Sequence, residues 1–442
     1  MKNVFEKSIT DAIDIDYREY AEYVISNRAI PCYIDGMKPV GRKILFNILT
    51  RHKSGSRVKV SDAGSISCVG YHHGEQSAMG AVVTLAASWN NNVPIFKQHG
   101  AFGSRLIPEA AAPRYIFVSL NDDFYRYFQD FDVLEYSEDV EDNPEPKTYL
   151  PNIPWILVNG IKGIAVGFAC NYLPHDPKDI AKVCLKYLSG KNIDSDIIQP
   201  TFPDFTGTIQ TEDHNKFKTT GSVSRVARNS WKITELPIGY TREKYYSVLI
   251  DLSNKGLIED FDDNCSSTFE FTIKVNTKQD KDIANDPIKY FKLEQTFTEN
   301  YTALDENSHL IIFDKKTDIV KKFIDYRLVK LNEQLVYDRK KLTEQLEFQS
   351  IKRKFINDVI TKKILLQNMT KKELVSEFSA VYKVTDHDII NRVISIPMYS
   401  MTQDTLDQLD DQIKDLENKI SNLNMDPKSV LKSRLNEIIK SK

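Results

Sequence analysis

Apolar residues recur at helical spacing in several separate stretches, while strand-like alternation is confined to the middle of the chain. Residues 17–28 (YREYAEYVISNR) read as an amphipathic helix. The helix should end at Ala29-Ile30-Pro31, because the residue before a proline disfavours the helical region. After a turn at residues 35–39, helical periodicity resumes over 40–52 through Ile44, Leu45, Ile48 and Leu49. Residues 61–69 predict a short helix capped by Ser61, and residues 75–88 a second helix rich in small side chains. Between them lies the glycine turn Gly70-Tyr71-His72-His73-Gly74. Helix, glycine turn, helix is the arrangement that presents its second helix to DNA. The N-terminus of that helix would aim free backbone N–H groups at a phosphate.

Further on, residues 156–158 look like a short apolar strand, followed by a glycine-bearing loop over 159–167. Ile164 sits in that loop either as an exposed tip, able to wedge between base steps, or as a core residue of a buried turn. Residues 200–313 mix strands, such as 268–275, with short helices, such as 242–252. From 317 to 367 a long charged helix carries Leu328, Leu331, Leu335, Leu342 and Leu346 near heptad spacing. A second seam runs through Leu406, Leu409, Ile413, Leu416, Ile420 and Leu423. The two seams pair most simply as an antiparallel arm, whose outward run would reach roughly 60–70 Å at 1.5 Å per residue. The residues between them would form a knob at its end, a good place for a symmetric dimer contact or, alternatively, a coil that recruits an unrelated partner.

Size and charge sharpen this outline. At 442 residues the chain should hold more than one domain. No run approaches the ~18 apolar residues of a membrane span. The N-terminus lacks a signal-peptide core, so a soluble, cytoplasmic protein without membrane partners is expected. The five cysteines, at 32, 68, 170, 184 and 265, have no metal or redox spacing and read as reduced thiols. Net charge is −3, but no acid occurs between Asp35 and Asp62, a window holding Lys38, Arg42, Lys43, Arg51, Lys53, Arg57 and Lys59. A local basic stretch in an acidic protein suits a nucleic-acid face, against the plainer reading of a solvated helix. No phosphate-cradling GxxxxGK[ST] occurs, and the scattered DxD pairs lack a fitting glutamate, so neither nucleotide nor metal binding is expected on this chain.

The sharpest chemistry is Pro113-Arg114-Tyr115-Ile116-Phe117. A phenol with a reference pKa of about 10 is a poor nucleophile at neutral pH. A guanidinium beside it favours the phenolate and can hold a phosphate oxygen by paired hydrogen bonds. Attack on a phosphodiester would then leave a tyrosyl phosphate, a covalent intermediate that splits one hard step into two. An isolated Arg-Tyr pair is more often a surface ion beside a half-buried ring, so its surroundings decide.

Those surroundings match a known family. The chain resembles the DNA breakage and rejoining subunit of type II DNA topoisomerases, the part homologous to the gyrase A protein. The resemblance lies in Arg28-Ala-Ile-Pro, Asp35-Gly-Met-Lys-Pro-Val-Gly-Arg-Lys-Ile-Leu45, Tyr71-His-His-Gly-Glu-Gln-Ser77, Gly100-Ala-Phe-Gly-Ser-Arg105, Pro113-Arg-Tyr-Ile-Phe117 and Asn159 to Gly167. It continues through Glu235 to Tyr245 and Ile396-Pro-Met-Tyr-Ser-Met-Thr402. It implies Tyr115 as nucleophile, with Arg114, Arg28 and His73 around the scissile phosphate. It implies DNA contacts from Lys38, Arg42, Lys43 and His72, and the bending wedge from Ile164. The implied fold is multidomain α+β. A winged-helix (helix-turn-helix) DNA-binding domain spans residues 1–150, and an α/β tower domain with the bending loop spans 151–315. A long antiparallel coiled coil uses 316–368 and 405–442, and a small helical dimerisation gate occupies 369–404.

The family's ATPase motifs and acidic metal-binding module are not found in this sequence. The resemblance therefore implies that Mg²⁺ and ATP are bound by separate partner subunits, and that this chain acts on double-stranded DNA as a homodimer. Tyrosine recombinases and histidine-dependent relaxases also form phosphotyrosine. The former place their tyrosine late, and the latter need a His-x-His triad that His72-His73 does not supply. A non-enzymatic rival is a dimeric DNA-bending architectural protein, which predicts binding without covalent capture.

Overall fold

The computed structural model describes residues 8–52, 55–68, 74–137, 145–364, 369–423 and 425–441. It divides into two compact units, Met1–Arg327 with Leu431–Lys442, and Leu328–Val430. The architecture is mixed α+β, as expected.

In the first unit, residues 9–29 are helical throughout, alternating α and π turns. Helix α1 (Pro39–Arg51) opens on a proline, whose fixed φ suits the first helical turn, and buries Ile44, Leu45 and Ile48. Helices α2 (Val60–Ile66) and α3 (Glu75–Ala86) lie against each other and against α1. Strands β1 (Val58–Lys59), β2 (Phe96–His99) and β3 (Phe117–Leu120) form an antiparallel sheet in the order β1-β3-β2. Val58, Phe96, Val118 and Leu120 face the core; of the alternate positions Lys97 is exposed, Lys59, His99 and Phe117 are half-exposed and Ser119 is buried. Three helices with a small three-stranded sheet make a winged helix.

The expected strand at 156–158 is instead a helical turn, Trp155–Val158, with all four side chains buried. Periodicity cannot separate strand from buried helix in so short an apolar run, and Pro154 at the N-cap tips it toward helix. The following loop is a hairpin of β4 (Ile161–Ile164) and β5 (Ala169–Tyr172), closed by Ala165 N–H donating to the Phe168 carbonyl at 2.8 Å.

The mixed region holds two antiparallel sheets. Strands β6 (Thr208–Asp213), β7 (Lys216–Thr220) and β12 (Glu294–Thr298) form one, in the order β12-β7-β6. The other has the order β10-β11-β9-β8, from β8 (Ser222–Ala227), β9 (Ser230–Glu235), β10 (Asp260–Asp263) and β11 (Phe271–Lys274). Helix α4 (Arg242–Asn254) shares a core with the second sheet through Tyr245, Leu249, Trp231, Ile233 and Phe271.

Two buried polar nodes brace this unit. Lys316, the first residue of helix α5 (Lys316–Ile360), sends its ammonium to Glu299 at 2.9 Å, the Ile198 carbonyl at 2.7 Å and His175 Nε2 at 2.8 Å. His175 donates from Nδ1 to the Leu157 carbonyl at 2.9 Å, which fixes Nε2 as the acceptor. In the second node, Asp130 (φ 61°) accepts from both Arg327 and Arg434. Burial pushes the Asp130 carboxyl up, but the two guanidiniums win and hold it below the usual range. Arg434 belongs to the last helix, Pro427–Lys440.

In the second unit, the residues of α5 from Leu328 onward run beside the helix Gln403–Asn422, with Arg353 Nη2 bonded to Asp410 at 2.9 Å. Ile356, Leu406 and Leu409 form a shared apolar cluster. Two shorter helices, Lys371–Tyr382 and His387–Ile394, close over Phe355, Phe378, Ile390 and Val393. Met398 and Tyr399 project into solvent beside them.

Candidate functional site

Tyr115 stands at the edge of the winged helix, two residues before β3, with 67% of its surface exposed. Its loop is clamped from below by the start of α2. A helix leaves its first N–H groups without intrahelical partners. Here the Val60 N–H donates to the Ile116 carbonyl at 3.0 Å and the Ser61 N–H to the Pro113 carbonyl at 3.3 Å. These bonds take the place of the expected Ser61 cap, and the Ser61 hydroxyl turns to Asp62 instead. The neighbouring Ile116 side chain is buried, so the loop is pinned on both sides of the tyrosine while the phenol stays free.

Arg114 lies over the Tyr115 ring, its guanidinium carbon 4.6 Å from the ring centroid. At that distance a cation–π contact steadies both groups and keeps a permanent positive charge beside the phenol. Arg114 has no ion-pair partner among the described residues, so its donors remain available to an anion.

Arg28 is exposed at the end of the N-terminal helix. The hairpin comes in beside it: Gly163 approaches the backbone of Ala29 so closely that no side chain would fit between them. Among the described residues no hydrogen bond or ring contact joins Arg28 to Tyr115. Ile164 stands at the hairpin tip with 87% of its surface exposed, so of the two readings open in the sequence the exposed tip is the one found. Phe168, across the same turn, is partly exposed.

The expected DNA-contact cations are placed less simply. Lys38 is half-buried and its ammonium donates to the Lys162 carbonyl at 2.7 Å, at the base of the hairpin and two residues from Ile164. Burial lowers its pKa. Arg42 is turned inward: Nε and Nη2 grip the buried Asp35 carboxylate at 2.7 and 2.9 Å, and Nη2 also reaches the Met37 carbonyl. Only 12% of its side chain is exposed, so its first task is to neutralise Asp35. Asp35 in turn accepts the Met37 and Tyr149 N–H groups, tying the turn before α1 to a distant loop. Lys43 is held by Glu145 at 2.6 Å. The acids that hold Arg42 and Lys43 lie seven and 102 residues away in the chain. Charge spacing in one sequence gave no sign of the second pairing. His72 and His73 lie outside the described residues.

Among the described residues no group of three His, Cys, Asp or Glu is placed to hold a metal ion, and no helix is long and apolar enough to cross a membrane. The described cysteines 32, 68, 170, 184 and 265 are all unpaired.

A family model for the A subunit of DNA gyrase/topoisomerase IV matches residues 28–442. The DNA topoisomerase medium subunit of Enterobacteria phage T4 is 32% identical over 419 residues, covering 92% of this chain and 93% of that protein. The mitochondrial DNA topoisomerase 2 of Dictyostelium discoideum is 29% identical, and the match covers 99% of this chain but 35% of that protein. Among solved structures, the DNA-binding, cleavage and re-ligation domain of Plasmodium falciparum topoisomerase II superposes with a TM-score of 0.87 at 27% identity. That superposition covers 97% of this chain and 63% of the other.

Proposed function

The chain belongs to the family of DNA gyrase/topoisomerase IV A subunits, and we propose that it is the DNA-cleaving and rejoining subunit of a type II DNA topoisomerase, with Tyr115 as the nucleophile. The observation that carries this reading is the exposed Tyr115 phenol under the Arg114 guanidinium, on a loop clamped by the first N–H groups of α2. In the forward step the phenol loses its proton as its oxygen bonds to phosphorus. The bond from phosphorus to the 3′ oxygen breaks, and that oxygen leaves with a proton as a free hydroxyl. A 5′-phosphotyrosyl link remains. The reverse attack by the 3′ hydroxyl reseals the strand, and one ester replaces another, so no external energy is needed for rejoining.

Arg114 and Arg28 are suited to neutralise the charge that builds on the phosphoryl oxygens, where fixed cations act most strongly. His73 takes the same neighbourhood in this reading, with His72 on the flanking duplex and Lys38, Arg42 and Lys43 framing that surface through their bonds to Lys162, Asp35 and Glu145. Ile164, at an exposed hairpin tip, is shaped to enter a base step and bend the DNA. Two chains, each cutting one strand, would open a gate for a second duplex. The segment 369–404, where Met398 and Tyr399 are exposed, is the proposed dimer contact. In this reading Mg²⁺ and ATP are bound by separate partner subunits. The family match favours breakage and rejoining over a purely architectural role.

The test is denaturant trapping with partner subunits, Mg²⁺ and end-labelled duplex. Protein should become linked to 5′ ends, and Tyr115→Phe should abolish the link. Undiminished capture by Tyr115→Phe would reject the assignment.

A further inference from the structure

The sheet that begins two residues after Tyr115 buries one face, while on the other Lys97 is exposed, Lys59, His99 and Phe117 are half-exposed and the small Ser119 is buried among them. Register sets Lys59, Phe117 and His99 side by side in one row of the outward face. Ser119 and Lys97 form the next row. Arg57, one residue before β1, extends that row on the far side, since successive strand residues alternate between faces. Rows on one face are about 7 Å apart. Tyr115 itself lies two residues upstream of Phe117, at the end of this face.

Four basic side chains thus surround one aromatic ring. Arg57 is exposed and Lys59 half-exposed, and neither has an ion-pair partner among the described residues. Lys97 reaches Asp122 at 2.7 Å, but both ends of that pair are largely in water, where it contributes little. The His99 ring is oriented by Ser119, with Nε2 3.0 Å from the hydroxyl oxygen. Burial and then the nearby Arg57 and Lys97 charges lower its pKa, with Asp122 opposing them. Like charges crowded on one sheet face disfavour the fold. The packing beneath, through Val58, Phe96 and Val118, does not require them. An anion with repeated charges would turn that cost into affinity.

The geometry points to this face as a second backbone-binding surface, which takes the sugar-phosphate chain of the DNA strand that Tyr115 captures. Arg57, Lys59, Lys97 and, when protonated, His99 face the phosphates, and Phe117 lies between Lys59 and His99 in its own row. The assignment rests on the proposed role of Tyr115, since that residue fixes where the strand begins.

The test uses the full chain and duplex DNA carrying a cleavage site. Each phosphate contact contributes about −0.9 to the slope of log K against log[salt]. Arg57→Gln/Lys97→Gln should therefore flatten the slope by roughly 1.8. Position is read by placing single neutral methylphosphonates within a few nucleotides of the cleavage point. They should weaken wild-type binding several-fold and leave the double variant nearly unaffected. Both positions are on the surface, and circular dichroism melting checks that the variant is folded. An unchanged slope with the same methylphosphonate penalties would overturn the surface. Covalent trapping of the same proteins, with partner subunits and Mg²⁺ added, keeps the two readings apart: an intact Tyr115 link with an unchanged slope removes only this surface, whereas no Tyr115-dependent link in the wild type removes the cleavage role.

Discussion

Gly163→Ala tests the position of the hairpin proposed to bend DNA. Gly163 lies in β4, next to Ile164, and faces the backbone of Ala29, the neighbour of Arg28. A Cβ built at Gly163 would sit 3.0 Å from both the Ala29 carbonyl carbon and Cys170 Sγ, and closer still to the Ala29 carbonyl oxygen. Carbon contacts settle near 3.5–4.0 Å, so the hairpin and the helix end would have to part by on the order of 1 Å. Neither side yields cheaply, because one is a strand paired with β5 and the other a helix terminus with Ala29 and Ile30 buried. Overpacking of this kind costs about 1–3 kcal/mol of stability. A displacement of about 1 Å in a positioning element can cost roughly 10²-fold in rate. Ile164 and Arg28 would be moved together, so DNA bending and covalent capture should fall in parallel while salt-dependent binding holds. Gly167→Ala is the matched control. Gly167 has φ +75°, and a Cβ there meets nothing within 4 Å, so alanine would be strained locally without pushing anything away. Bending is read by energy transfer between dyes on the DNA ends, and capture by denaturant trapping. Wild-type bending and capture in Gly163→Ala, or losses equal to those of Gly167→Ala, would refute the reasoning.

Arg42→Ala should destabilise the first unit by about 3–5 kcal/mol, because it strands the buried Asp35 charge; the midpoint of chemical denaturation reports this, and little change there would return Arg42 to a surface role. Ile164→Ala should reduce bending yet leave the salt slope of binding near wild type, because phosphate contacts supply most of the affinity; a fall in slope would count against the wedge. Burial first, and then the Lys316 charge, hold His175 well below the usual imidazole range. The unfolded chain therefore binds this proton first, and stability is lost as pH falls through about 6.5. His175→Gln should flatten the stability profile between about pH 6.5 and 5, measured by denaturation at each pH; an unchanged slope in that window would show that His175 is not the group responsible.

Elements with a strong period were legible in the sequence. The amphipathic spacing of Ile44, Leu45, Ile48 and Leu49 gave α1 almost to its ends, and the 45-residue α5 followed from its leucine seam. The turn at 155–158 was misjudged because four apolar residues between prolines and glycines carry no period at all. The candidate site was half legible. Arg114 and Tyr115 touch because they are neighbours in sequence, and Ile164 is exposed because a tight glycine-bearing hairpin has no room to fold its tip inward. What one chain could not disclose was which cations are already spent. The Asp35–Arg42 fork closes within one turn of chain, but the Lys43–Glu145 pair and the two arginines on Asp130 join residues 102 to 304 positions apart.

That sorting changes how the basic window works. Of its cations, Arg42 and Lys43 neutralise acids inside the protein, and Lys38 ties down the hairpin. These bonds fix the geometry of the basic window rather than supply free charge. Arg57 and Lys59, at the far end of the window, have no such partner among the described residues and stand on the sheet that leads to Tyr115. An enzyme that must hold a cut strand and then give it back gains little from binding it tightly everywhere. Interactions made equally with intact and cut DNA leave the barrier between them unchanged. The useful arrangement is a rigid frame with its own charges cancelled, and a few free cations next to the reacting phosphate. In the proposed mechanism Arg114, beside the phenol on a loop pinned by the N–H groups of α2, acts on the phosphate where the two states differ.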